Sequence, residues 1–169
     1  MKVLFSGISR SSFGADESKL SFQYDLGKNV GTSSVAVRKS ISDSQLLLKA
    51  TYKTDKPSLV LDETFEINKS NKITGQYNFA SEEAVFAYTY SWGEWNSTAK
   101  YNFQKDSSTY TVVKKQGKSK FSLSYSPRSE DTTFTWSKRP YTIRMKGSLG
   151  VSGTSLPSVD LNFVHEFDV

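Results

Sequence analysis

The sequence predicts an all-β protein: a closed, antiparallel, up-and-down transmembrane β-barrel of about 12 strands, with residues 1–169 forming a single domain. Three observations predict it. Apolar and polar residues alternate almost continuously, and no useful length shows helical periodicity. Only 36% of the residues are hydrophobic, against about 45–50% in ordinary domains on a count that includes Gly. Yet the chain holds eleven Phe, nine Tyr and three Trp, which suits strands that are each half apolar and half polar better than it suits a buried core.

Composition narrows the functional classes. There is no Cys, so disulfides and thiolate metal sites are excluded. One histidine, His165, excludes a histidine-based metal cluster and leaves a nucleophilic triad nothing else to rest on. Its place on the apolar parity near a strand end suits packing better than catalysis. No apolar run approaches the roughly 18 residues of a membrane helix, and no signal-peptide core follows the start. The net charge of +5 is modest and spread along the chain, so nucleic acid is not an expected partner. No cofactor, metal site or enzymatic activity is expected.

In chain order, MKVLFSGISRSSF is basic and Ser-rich but is followed at once by Asp16 and Glu17, and reads as a first strand and turn rather than a cleaved presequence. Leu20, Phe22, Tyr24 and Leu26 alternate with Ser21, Gln23 and Asp25. Leu46, Leu48, Ala50 and Tyr52 alternate with Leu47, Lys49, Thr51 and Lys53. Leu59, Leu61, Phe65 and Ile67 share one parity, then Ile73, Gly75, Tyr77 and Phe79 another strand. Lys2 to Ser9, Ser33 to Lys39 and Ser108 to Lys115 are weaker candidates with mixed faces. Short turns are expected at Lys28-Asn29, Asn68 to Asn71, Lys105 to Ser107, Gln116-Gly117 and Arg128 to Asp131.

Ala84 to Gln104 is a hairpin that can be written out residue by residue. Gly93-Glu94 fits a two-residue turn with Gly first. That register places Trp92 opposite Trp95, Tyr90 opposite Ser97, Tyr88 opposite Ala99, Phe86 opposite Tyr101 and Ala84 opposite Phe103 on one face. The other face pairs Ser91 with Asn96, Thr89 with Thr98, Ala87 with Lys100 and Val85 with Asn102. After it, Phe121, Leu123 and Tyr125, then Phe134 and Trp136, then Tyr141, Ile143, Met145, Gly147 and Leu149, and finally Val159, Leu161, Phe163, His165 and Phe167 mark the apolar parity of four more strands.

Two architectures share this pattern. A soluble barrel or sandwich, lipocalin-like and binding an apolar ligand, points the apolar face inward; a membrane barrel points it to lipid and lines a wet lumen with the polar face. The strand count exceeds the roughly eight that side chains alone can fill. Aromatics gather toward strand ends, as interfacial girdles do; the girdle candidates are Tyr77, Tyr90, Trp92, Trp95, Tyr101, Phe103, Trp136, Tyr141 and Phe163. About twelve strands of roughly 9–11 residues use the whole chain. Glu63 runs against this reading, because it shares the apolar parity; a bulge at Asp62-Glu63 would turn it away.

On the polar parity Arg38, Lys49, Lys53, Lys100, Lys115, Arg144 and Lys146 stand against Asp25, Asp62, Glu66, Asp160 and Glu166, a mildly positive lining. The pore-lining candidates are Arg38, Lys49, Lys53, Lys100, Arg144 and Lys146. Lys114, Lys115, Lys118 and Lys120 surround one turn and suit a basic tip facing anionic headgroups. Asn68-Lys69-Ser70 and Asn96-Ser97-Thr98 match the glycosylation triplet, but no secretory signal accompanies them.

The stretches LSFQYDLGKNVGTSSVAV, LLLKATYKTD, LVLDETFEINKSNKITGQYNF and AVFAYTYSWG, with the run from TTFTWSK through LPSVDLNFVHEFDV, resemble in strand order and turn position the outer envelope pore protein 24 family of chloroplasts. The resemblance runs from about Lys19 onward. It implies a plastid outer-membrane barrel without a cleaved presequence. It also implies passive, weakly selective passage of phosphorylated sugars, dicarboxylates and amino acids. The implied partners are the lipid bilayer and small anionic or zwitterionic metabolites, with homo-oligomerisation open. No catalytic residues come with it.

Overall fold

The computed structural model describes residues 2–9, 15–139, 141–148 and 160–165. These form thirteen strands: β1 Lys2–Ser9, β2 Glu17–Asp25, β3 Val30–Ile41, β4 Ser44–Lys53, β5 Ser58–Glu66, β6 Asn71–Asn78, β7 Glu83–Trp92, β8 Trp95–Asn102, β9 Ser107–Gln116, β10 Ser119–Ser126, β11 Asp131–Lys138, β12 Tyr141–Ser148 and β13 Asp160–His165. The order in the sheet is the order in the chain, an antiparallel meander with β1 and β13 at its ends. Among the described residues β1 and β13 do not pair. The expected count of about 12 antiparallel up-and-down strands agrees with this meander. The weaker candidates Lys2–Ser9 and Val30–Ile41 are full strands despite their mixed faces, because ladder hydrogen bonds to their neighbours hold them whatever the side chains alternate.

Contacts divide the chain into two units, Met1–Tyr88 with Asn102–Gln104, and Thr89–Tyr101 with Lys105–Val169. In the first, registers from β1 to β6 run without slippage. Gly7, Leu20, Val35, Ala50, Leu61 and Tyr77 stand in one cross-strand row, and Phe5, Phe22, Ser33, Tyr52 and Leu59 in the next. In the second, Lys114, Phe121, Trp136, Ile143 and Phe163 form a row, followed by Val112, Leu123, Phe134, Met145 and Leu161.

The hairpin of β7 and β8 has the predicted register at each point where a contact marks it. The Trp92 and Trp95 rings stack with centroids 6.2 Å apart, the Thr89 and Thr98 hydroxyls lie 3.0 Å apart, and the Phe103 N–H donates to the Ala84 carbonyl at 2.9 Å. Gly93 has φ +55°, as a two-residue turn with Gly first requires.

Apart from residues 67–70 between β5 and β6, the turns are of two kinds. Ser42-Asp43, Gly93-Glu94 and Gly117-Lys118 are two-residue turns whose first residue has positive φ, +53°, +55° and +56°. The turn expected at Gln116-Gly117 is thus one residue further on, since Gln116 pairs with Ser119. The alternate connections, residues 26–29, 54–57, 79–82, 103–106 and 127–130, are four-residue turns. Four of them close on a left-handed residue: Asn29, Glu82, Asp106 and Glu130. The fifth ends in Pro57, whose ring forbids that conformation.

No apolar side chain larger than that of Ala15 is buried among the described residues. Along β7 the apolar positions are the open ones, Phe86 44%, Tyr88 39%, Tyr90 44% and Trp92 41% exposed, while Val85, Ala87, Thr89 and Ser91 between them are half-buried. A water-soluble sheet has the opposite arrangement.

Candidate pore lining and membrane face

The polar parity is where side chains pair across strands. In the first unit Ser21 and Ser34 hydroxyls meet at 2.6 Å, Gln76 Nε2 donates to Asp62 Oδ1 at 2.7 Å, and Arg38 lies 3.6 Å from Glu17. In the second, Thr111 meets Ser124 at 3.0 Å, Thr109 meets Ser126 at 3.3 Å, and the Thr142 hydroxyl donates to Ser137 at 3.3 Å. Each hydroxyl pair spans neighbouring strands at directly opposed positions, which is where a short side chain can reach its partner.

The pore-lining candidates all fall on this parity, in two groups. Arg38, Lys49 and Lys53 belong to the first unit. Lys49 stands in register between Ala36 and Asp62, and Lys53 between Thr32 and Ser58. With Asp62 engaged by Gln76 and Arg38 by Glu17, cations and carboxylates here nearly balance. Lys100, Arg144 and Lys146 belong to the second unit. Lys100 is two residues from Thr98 on the same face; Arg144 and Lys146 stand opposite Thr135 and Thr133 on β11 and, in backbone register, opposite Asn162 and Asp160 on β13.

Sequence reasoning missed two features of this face. Lys120 faces Lys115 directly across β9 and β10; its shared parity with Ser122 and Ser124 was the available signal. The hydroxyl layer of Thr111, Ser122, Ser124, Thr133, Thr135, Ser137 and Thr142 was legible only as polar alternation, because pairing partners require the register.

On the apolar parity, Tyr77 meets Phe79 edge to face at 4.8 Å and Tyr90 stacks on Trp92 at 5.3 Å. The Tyr101 hydroxyl donates to Asp106 at 2.6 Å, so its polar end points at the turn. Phe103 is 61% exposed and Tyr141 55%. Trp136 stands in register between Phe121 and Ile143. Phe163 and His165 take register positions opposite Ile143 and Tyr141; their side chains, and Glu166 and Phe167 beyond, lie outside the described residues.

No bulge at Asp62-Glu63 turns Glu63 away from the apolar parity. The β4 to β5 register is unbroken from Gln45 opposite Glu66 to Lys53 opposite Ser58, so Glu63 remains on the apolar face between Leu48 and Gly75. Lys114 is a charge on the apolar parity of the second unit, in register with Phe121 and with its Nζ 5.2 Å from the centre of the Trp95 ring; nearer strand ends, Lys39 opposite Leu46 and Lys138 opposite Tyr141 also take apolar-parity positions. Among the described residues no group of three or more acidic or histidine side chains could hold a metal.

An all-antiparallel up-and-down sheet with an exposed aromatic face and a hydrogen-bonded, charged face fits the class of β-barrel porins. The family model for outer envelope pore protein 24 matches residues 39–161, and the chain belongs to that family. It is thereby an outer envelope pore of plastids. No curated protein matches the chain.

Proposed function

We propose that the chain forms a single-domain closed β-barrel in the plastid outer membrane and acts as a passive channel for small charged metabolites, with a modest preference for anions. The observation that carries this reading is the inverted exposure of β7: large apolar side chains are uncovered and polar ones half-buried. A sheet so built satisfies its backbone in lipid only if its end strands find partners, which makes closure the economical outcome. The lumen would be lined by Arg38, Lys49, Lys53, Lys100, Arg144 and Lys146. The girdles would be formed by Tyr77, Tyr90, Trp92, Trp95, Tyr101, Phe103, Trp136, Tyr141 and Phe163. Phosphorylated sugars, dicarboxylates and amino acids are the solute classes that fit a wide, weakly cationic passage.

The mechanism is diffusion through water with the local anion concentration raised by the lining cations. The second unit supplies most of this bias: Lys100, Lys115, Lys120, Arg144 and Lys146 share a parity on which Asp131 is the carboxylate with a described side chain. Neutral Ser and Thr between them offer hydrogen bonds without fixed charge, which suits brief contact with many solutes.

The test is planar-bilayer recording of the refolded protein. Discrete ohmic openings with a reversal potential displaced toward chloride in a KCl gradient are expected. A folded monomer in detergent-free buffer that leaves liposomes intact would overturn the reading and turn the aromatic face into a core.

A further inference from the structure

The apolar face of the second unit carries a groove of about 480 Å³ whose lining includes Trp95, Val112, Lys114, Phe121, Leu123 and Phe134, with Gln116 at its turn end. Lys114 is the only charge in this lining. It is held there by register, with Phe121 directly opposite on one side. On the other, the Lys115 N–H to Glu94 carbonyl bond of 2.9 Å brings Trp95 alongside. The Nζ lies over the Trp95 ring at 5.2 Å, so an aromatic face and not a carboxylate faces this cation.

The surrounding charge is mostly basic. At the same end of the second unit's strands stand Lys118 and Arg139 in their turns and Lys138 on the parity of Trp136, against Glu94 as the carboxylate of the β7 to β8 turn. Away from this end, the groove continues between Val112, Leu123 and Phe134, which share a cross-strand row one step further from the turns. A ligand that fits both parts has an anionic head and an apolar tail in line with the strands.

We propose that this groove binds one anionic membrane lipid with a phosphodiester headgroup, its phosphate at Lys114 and Gln116 and an acyl chain against Val112, Leu123 and Phe134. The proposal rests on the membrane reading above. Lysine and tryptophan at a headgroup boundary are individually ordinary; what makes a site of them here is a cation set into an apolar groove under a basic rim, so that charge and shape select the same molecule. A zwitterionic lipid would bring its own cation to a groove where Lys114 already lies under Lys118, Lys138 and Arg139.

The experiment uses the full chain refolded in phosphatidylcholine vesicles containing a fixed fraction of phosphatidylglycerol, with either lipid brominated on its acyl chains. Trp92, Trp95 and Trp136 are reporters on or beside the Lys114 row. Brominated phosphatidylglycerol is expected to quench with roughly fivefold higher apparent affinity than brominated phosphatidylcholine. Lys114→Gln should remove most of that preference, Lys114→Arg should retain it, and Lys118→Gln at the rim should lower it only slightly. Equal quenching by the two lipids, or equal losses in Lys114→Gln and Lys118→Gln, would sink the site and leave only general surface attraction. If neither brominated lipid quenches, the membrane reading itself fails.

Discussion

Glu63 lies across from Gly75 on the apolar face, its Oε2 3.8 Å from where a Cβ on Gly75 would sit. The carboxylate leans into space that a glycine leaves open, beside Leu48, and among the described residues it forms no ion pair. A charge near the middle of a strand on a lipid-facing surface is costly.

Replacing it should therefore stabilise the protein. Glu63→Leu is expected to raise the unfolding free energy in vesicles by about 1–2 kcal/mol, with Glu63→Gln giving part of the gain. Denaturant unfolding followed by tryptophan emission measures this. A loss of stability in both variants would show that this face of β5 is wet.

Arg144 and Lys146 are two residues apart on β12, each opposite a threonine of β11. Reversing both charges, Arg144→Glu with Lys146→Glu, should lower the chloride-to-potassium permeability ratio roughly threefold or more. The same reversal at Arg38, already bonded to Glu17, should move it less. Reversal potentials in a salt gradient decide between them; an unchanged value in a folded double variant removes these two residues from the selectivity argument.

Ser42 adopts φ +53° in the tight turn between β3 and β4, a conformation costly for any residue with a side chain. Ser42→Gly should stabilise by about 1 kcal/mol, and Gly93→Ala, at φ +55°, should cost a similar amount. Matched unfolding midpoints read both directly.

Asp16, ahead of β2, is held below the ordinary pKa of 3.8 by the Ser40 side-chain hydroxyl first and by the hydrogen bond it accepts from the Ser40 N–H second. A depressed carboxylate contributes stability above its unfolded value and loses it as pH falls through its folded one. The Ser40 amide should thus exchange faster, relative to intrinsic rates, once pH drops below about 4. Asp16→Asn should flatten that dependence, and the same acid sensitivity in the variant would assign it to another group.

The alternation of Phe86, Tyr88, Tyr90 and Trp92 was enough to read a strand with an aromatic face, and Gly93 enough to set its hairpin register, because both depend on local geometry with a period of two. Long-range neighbours were not legible. The position of Lys114 over Trp95 depends on how β8 meets β9, and the Lys115 to Lys120 opposition on a turn that centres one residue beyond where composition suggested. Glu63 was visible as a conflict, but only the unbroken β4 to β5 ladder decides that it stays on the apolar side.

The sequence alone determined the all-β class, the two parities and most turns, since steric alternation and turn chemistry act within a few residues. Tertiary structure decided which residues of neighbouring strands meet, and that the apolar parity of β7 is the uncovered one, because burial is a property of the assembled sheet and not of any strand within it.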